Sequence, residues 1–379
     1  MDDSGSWLYN TEAIKQHAIC FFSSLYTNDD SCFRSYPHRG FFPNIEASTR
    51  QRLMLLLVED DEIRQSIFSM KPLKAPGVDG YPAIFYQSQW HLVGESICRL
   101  VKEVFSSGRV PNDINRMLLV LILKVDNPTN LKLYRPISLY TVPHKIITKL
   151  IANRLKAILR DLIGPQQTSF VPGRHIIENI VVAQEVIHTM RRKVGSVGQM
   201  AIKVDLEKAY DRLNWSFIFE TLIEAGIPMN LTWIIMECIT TAKMNVLWNG
   251  ELTEEFRPSR GIRQSDPISP YIFVLCIERL NHGIYNAVNA AGWKPIYLSR
   301  KGILLTHLFF ADDLLLFVEA SSDQAKVINA VLDEFCRSSG EKMNRIKTNI
   351  FFSSNVLANV ARSIGKTLVL LSLVSESDE

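Results

Sequence analysis

Cysteine is scarce in this 379-residue chain, and no two of its six cysteines form a Cys-x-x-Cys pair. The scatter of Cys20, Cys32, Cys98, Cys238, Cys276 and Cys336 favours free thiols in a reducing compartment over a disulfide framework or a zinc site. Long apolar runs are missing too. The longest, LMLLLV and LLVLIL, fall far below the roughly 18 residues a membrane helix needs. The acidic opening MDDSGSW is neither a secretory signal nor a transit peptide. No internal repeat or low-complexity tract occurs, and a net charge of +3 with a pI near 8.4 gives no global basic field. Any nucleic-acid surface must then be local. These absences point to a soluble, intracellular protein with no membrane attachment, in nucleus or cytoplasm.

What is present suits a globular fold: 47% of residues are hydrophobic and 21% charged. The length allows one large domain or two to three intertwined subdomains. Helical periodicity covers Thr11 to Tyr26, and Asp60 or Asp61 is placed to cap a helix running to Met70. LKAPGVDGYP is a turn cluster, followed by a helix from about Ile84 to Ser106. MLLVLILK, from Met117 to Lys124, suits a buried strand. KIITKLIANRLKAILRDLIGP is an amphipathic helix expected to start after Pro143 and to stop at Gly164-Pro165. Its apolar stripe holds Ile147, Leu150, Ile151, Leu155 and Ile158, while Lys145, Lys149, Lys156 and Arg160 share another face. A helix from Ile176 to about Arg192 and a short strand MAIKVD ending at Asp205 follow. Asn249-Gly250 signals a hairpin, and Pro267 is expected to open a helix. Two strands, ILLTHLFF and LLLFVEA, flank a tight turn, and a capped helix closes at Gly340. Strands and helices mix without strict alternation, so the fold class is α+β.

The turn between those two strands carries Asp312 and Asp313. Adjacent carboxylates between large apolar runs need partners or a cation. With Asp205 at its own strand end, three hard-oxygen donors are available, a set suited to Mg²⁺. Two such ions roughly 3.5–4 Å apart suit phosphoryl displacement. Taken alone, the Asp-Asp pair reads more readily as an ordinary turn.

The surrounding blocks narrow the choice. KVDLEKAYDRLNW, SRGIRQSDPISPYIFVLCIERL and FFADD occur in the order and at the distances seen in reverse transcriptases. They resemble most the enzymes of LINE-type, non-LTR retrotransposons, particularly the plant branch. LKAPGVDGYPAIFY, LILKVDNPTNLKLYRPISL, QTSFVPGRHIIENI and SGEKMNRIKTNIFF agree, so the likeness covers roughly Leu73 to Ser354. It implies a right-hand polymerase fold with palm and fingers: an N-terminal helical and loop extension over 1–60, fingers over 61–199, palm over 200–355, and a truncated tail over 356–379 with the thumb largely missing. It implies an RNA-directed DNA polymerase using two Mg²⁺ ions, with Mn²⁺ as a substitute. Asp205, Asp312 and Asp313 would be the catalytic, metal-holding acids, and Asp211 and Asp323 structural or solvated.

The same resemblance makes Tyr210 a steric gate against a 2′-hydroxyl and Arg135 a grip on the triphosphate. Gln264 lies in the block that borders the nucleotide, Lys124 is a second cation, and Lys347 is placed to protonate the leaving pyrophosphate. Lys145, Lys149, Lys156 and Arg160, with Arg174, could track the template backbone. The implied partners are an RNA template, a DNA primer or target, and dNTPs; protein partners stay unspecified. Ser265 stands where the family has glycine, which permits close approach and unusual dihedrals. Together with the missing thumb, Ser265 motivates an alternative: a catalytically inactive, nucleic-acid-binding relic. An RNA-templated RNA polymerase fits less well, because Tyr210 would block a ribose.

Overall fold

A computed structural model describes residues 4–28, 34–54, 57–297, 302 and 304–368. Cys32 lies outside these, and the other five cysteines are free thiols. The described residues form an α+β protein with ten strands, numbered in chain order: β1 (Arg116–Leu123), β2 (Tyr134–Tyr140), β3 (Gln199–Asp205), β4 (Lys243–Trp248), β5 (Glu251–Leu252), β6 (Ile296–Tyr297), β7 (Leu304–Leu305), β8 (His307–Phe310), β9 (Asp313–Glu319) and β10 (Asn349–Phe352). Two compact units emerge. One comprises the described parts of 1–32, 45–158 and 210–271; the other, those of 33–44, 159–209 and 272–379. Neither is one continuous stretch, because strands far apart in sequence pair within each.

In the first unit the sheet order is β2-β1-β4-β5. β1 runs antiparallel to β2, from Met117 opposite Tyr140 to Leu123 opposite Tyr134, and parallel to β4. The apolar run expected to be a buried strand is buried only at alternate positions. Met117 and Leu119 face the core, whereas Ile122 and Leu123 are exposed where the run outlasts its parallel neighbour. The helix Thr11–Tyr26 covers the inner face with Ala18, Phe22 and Tyr26 against Met117, Leu119, Met244 and Val246. Asn10 caps that helix by accepting from the N–H groups of Glu12 and Ala13. The β4–β5 hairpin turns at Asn249 and Gly250, both at positive φ (48° and 85°), as a tight two-residue turn requires.

Several helix limits differ from expectation, each for a local reason. The helix Asp60–Phe68 is preceded by Glu59 with no side-chain cap; Asp60, Asp61 and Glu62 instead sit in its first turn, where the helix dipole favours anions. The stretch expected as one helix from Ile84 is two, Ala83–Ser88 and Trp90–Ser107, hinged at Gln89. Trp90 there packs edge-on to Phe68, with its ring over Gly94. The helix Val142–Leu162 includes Pro143 near its start, because first-turn N–H groups have no partner to lose. The helix expected to open at Pro267 begins at Ser269; before it, the Asp266 side chain accepts from the Ile268 N–H. Gly77 of the LKAPGVDG turn lies so close to the end of β2 that a Cβ there would come within 2.4 Å of the Thr141 nitrogen.

In the second unit the order β10-β3-β9-β8 is antiparallel throughout. The stretch ILLTHLFF is not one strand: Leu304 and Leu305 pair with β6, and β8 starts at His307. Val186 and Met190, from the helix Ile176–Arg191, pack with Ala201, Leu308 and Phe317 as its core. The helix Ser322–Ser339 is capped by Ser321, whose hydroxyl accepts from Gln324 N–H, and ends at Gly340 in the left-handed region.

Candidate active site

The acidic centre lies in the second unit. β8 and β9 form a hairpin in which Phe310 pairs with Asp313, leaving Ala311 and Asp312 as the two-residue turn. Ala311 takes φ 53°, the left-handed conformation such turns need. β3 lies on the other side of β9, and its last residue, Asp205, is directly opposite Asp313. Opposed residues of an antiparallel pair share a face, with Cβ atoms about 4.5–5.5 Å apart. Strand pairing alone therefore brings carboxylates from two distant segments together. Asp205 is fixed from behind: its N–H donates to Thr348 Oγ1 at 3.3 Å and its carbonyl accepts from the Asn344 N–H at 2.8 Å. Lys347 is exposed in this same 344–348 turn.

The electrostatics fit a cation. Asp312 is pushed above the usual carboxylate range, first by desolvation, then by the charges of Asp313 and Asp205. Lys203, two residues before Asp205 and on its face of β3, approaches Asp313 at 3.3 Å. Both partners are more than half exposed (58% and 59%), so the pair is worth less than about 1 kcal/mol. Among the described residues no three His, Cys, Asp or Glu side chains form a ready-made ligand cluster. The donor set is nevertheless right for a divalent ion: hard oxygens, adjacent in space and mutually repelling, with the exposed Lys203 ammonium beside Asp313.

Apart from Lys347, the residues assigned to the nucleotide lie in the first unit. The Ile262 N–H donates to the Tyr210 carbonyl at 2.7 Å, and the Ser138 N–H to the Gln264 carbonyl at 3.4 Å. The SRGIRQ loop is thus held to both the Tyr210 turn and β2, the strand that carries Arg135. Gly261 makes this approach possible, since a Cβ there would come within 2.3 Å of the Asp211 carbonyl. Asp211 is buried beside Tyr26 and Arg263, a structural position. Asp323 is exposed and paired with Lys326. Arg135 is exposed, and Tyr210 and Gln264 are half-buried. Lys124 lies just past β1, with its ammonium on the Lys132 carbonyl. Ser265 has φ 83°, the unusual dihedral expected of the glycine it replaces, yet it is exposed and not crowded.

Of the basic residues, Lys145, Lys149 and Lys156 line a cavity of about 560 Å³. Lys71, Lys74, Ser265 and Tyr271 complete its wall. Lys149 donates to Ser69 Oγ, and the Lys156 ammonium lies 5.5 Å from the Tyr271 ring centre. Burial, then repulsion from Lys74, lowers Lys145; burial, then Lys156 and Lys74, lowers Lys149. Lys71 and Lys74 were missed from sequence because only the folding of the LKAPG turn onto β2 brings them to this helix. Arg160 is exposed in the helix's last turn. Arg174 has a different task. Its guanidinium donates to the carbonyls of Arg160, Ile163, Gly164 and Gln167, capping the C-terminus of the helix Val142–Leu162.

The antiparallel sheet of the second unit thus brings Asp205 opposite Asp313, with Asp312 in the adjoining turn. Comparison with known proteins gives the family. A reverse transcriptase (RNA-dependent DNA polymerase) profile matches residues 122–366. The chain is 30% identical over 280 residues to the "Transposon TX1 uncharacterized 149 kDa protein" of Xenopus laevis, covering 73% of this chain and 21% of that protein. It is 26% identical over 291 residues to the "Retrovirus-related Pol polyprotein from type-2 retrotransposable element R2DM" of Drosophila melanogaster, covering 76% and 26%. A shorter match, 47% over 57 residues, is to the "Uncharacterized mitochondrial protein AtMg01250" of Arabidopsis thaliana, covering 15% and 46%. The chain belongs to the reverse transcriptase family, in the branch carried by LINE-type, non-LTR retrotransposons. It spans about a quarter of the length of the first two relatives.

Proposed function

We propose that this protein is an RNA-directed DNA polymerase core that adds deoxynucleotides to a primer 3′-hydroxyl on an RNA template. The reading rests on one observation above all: Asp205 and Asp313 are paired in register, with Asp312 in the adjoining turn. Asp205 and Asp312 would hold the divalent cations, Mg²⁺ or Mn²⁺, with Asp313 at the margin. Such ions, when bound, neutralise phosphate charge and acidify a coordinated hydroxyl.

The chain's own residues supply the rest. Tyr210 stands against the sugar and excludes a 2′-hydroxyl. Arg135 offers its planar fork to phosphate oxygens, Lys124 adds a second positive charge, and Gln264 borders the nucleotide. Lys347 gives a proton to the pyrophosphate oxygen that leaves. The lysine-lined cavity, with Arg160 beyond it, takes template phosphates. No helix among the described residues is long and apolar enough to cross a membrane.

The test is primer extension with an RNA template, a DNA primer, dNTPs and Mg²⁺. Incorporation is expected, and Asp312→Ala should abolish it. Undiminished extension by that variant would end this reading. Salt-dependent binding without extension by the native chain would instead match the inactive relic.

A further inference from the structure

The acidic hairpin is not held by its own sheet alone. β8 is the outer strand, and the segment Gln166–Thr168 is bonded to its outer edge. Phe309 donates its N–H to the Gln166 carbonyl at 2.9 Å, and its own carbonyl accepts from Thr168 N–H at 3.3 Å. Asn179 Nδ2 donates to the same Phe309 carbonyl at 3.0 Å and to the Gln166 carbonyl at 2.8 Å. Gln167 reaches further. Its side-chain Oε1 accepts from the Ser169 N–H at 2.8 Å and from the Ala311 N–H at 3.3 Å. Ala311 immediately precedes Asp312 and carries the left-handed φ of the turn. Gln167 is buried to 1% exposure, so this oxygen sits at a defined place.

The segment is itself locked. Arg174 Nη1 donates to the Gln167 carbonyl at 2.7 Å while its other donors engage the end of the helix Val142–Leu162. Phe170 is held at φ 59°, a conformation a bulky side chain keeps only where its surroundings over-determine it. An unbroken series of bonds thus runs from a helix terminus through Arg174 and Gln167 to the backbone of the hairpin turn. A glutamine is the right group at its end. A neutral amide oxygen satisfies two backbone donors without adding a fourth negative charge beside three aspartates.

We propose that Gln167 and Arg174 are positioning residues for the metal-holding hairpin: they fix the Ala311–Asp312 turn so that Asp312 meets a cation alongside Asp205. This rests on the polymerase reading above, and the residues act through Asp312 without touching substrate. Gln167→Met keeps the side-chain length but removes the acceptor. It should weaken Mn²⁺ binding, followed by electron paramagnetic resonance on the protein alone, about tenfold. It should also lower kcat for dNTP addition at least tenfold, leave KM for dNTP within twofold, and speed amide exchange in the peptide covering 307–313.

Gln167→Glu retains an oxygen for both N–H groups and should restore the hairpin's amide protection. If the Met variant folds poorly, Arg174→Lys, which keeps the charge but loses the fork, should show the same losses to a smaller degree. Native Mn²⁺ affinity and native exchange in both Gln167→Met and Arg174→Lys would overturn the proposal. Asp312→Ala separates the two levels. If it leaves Mn²⁺ binding and extension intact, the polymerase reading fails; if it abolishes both while Gln167→Met changes neither, only the positioning role does.

Discussion

Replacing Ser265 with glycine should stabilise the protein, although it shortens a side chain. Ser265 has φ 83°, where a Cβ meets the following carbonyl at a cost of roughly 1–2 kcal/mol. Glycine removes that cost but gains freedom in the unfolded chain, worth about 0.4–1 kcal/mol against it. The residue is exposed and lines the lysine cavity, so removing its hydroxymethyl group leaves no void in a packed core. The balance is about 0.5–1 kcal/mol in favour of Ser265→Gly, a rise in Tm of about 1–4 °C for a domain of some 150–250 residues. Differential scanning calorimetry would read this directly. Ser265→Ala is the control: it keeps the Cβ and the strain, so its Tm should match the native protein. An alanine variant as stable as the glycine one, or a glycine variant less stable than serine, would refute the strain argument. Relaxing this backbone, one residue from Gln264, should also raise primer extension.

Other outcomes follow from the same geometry. Glu278 is buried, and desolvation pushes its carboxyl up to about 7 despite donors from Asn281 and the Gly164 backbone. A raised carboxyl gives stability that is full below about pH 4.5 and lost as pH rises through 7. Glu278→Gln should therefore gain on the native protein, by up to on the order of 3 kcal/mol, between pH 5 and pH 8 in urea unfolding. Asp312 is raised in the same sense, so Asp312→Asn should slightly raise the metal-free Tm at pH 7 yet lose the increase that Mg²⁺ gives the native chain. Equal Mg²⁺ shifts in both proteins would remove Asp312 from the metal site. Lys145→Gln and Lys149→Gln should each reduce the salt dependence of single-stranded RNA binding, by about 0.7 in log–log slope for every phosphate left without its cation. Tyr210→Val should reduce the preference for dNTP over NTP at least tenfold in kcat/KM; an unchanged ratio would dismiss the steric gate.

The acidic centre was legible in the sequence because its parts are local. Asp312 and Asp313 announce themselves as a polar break between apolar runs, and MAIKVD ends at its acid. Asn249-Gly250 and the Ser321-to-Gly340 helix were equally readable, since turn and cap chemistry act over a few residues. Helix limits near Gln89 and Pro143 were not: neither a break without glycine or proline nor a proline tolerated in a first turn leaves a clear local mark. Arg174 looked like another basic residue for a phosphate. Its four carbonyl partners lie 7 to 14 positions away, at a helix end whose geometry exists only once folded.

The chain by itself determined the fold class, the family blocks and the placing of three acids at a strand end and a hairpin turn, because side-chain chemistry and short-range periodicity are written residue by residue. Only the tertiary structure decided that Asp205 opposes Asp313, that Lys71 and Lys74 join the helix lysines, and that Gln167 holds the hairpin turn. Those depend on strand register and on loops laid against edges. Such pairings are selected by burying apolar faces and satisfying backbone groups between segments far apart in the chain, and no local pattern encodes them.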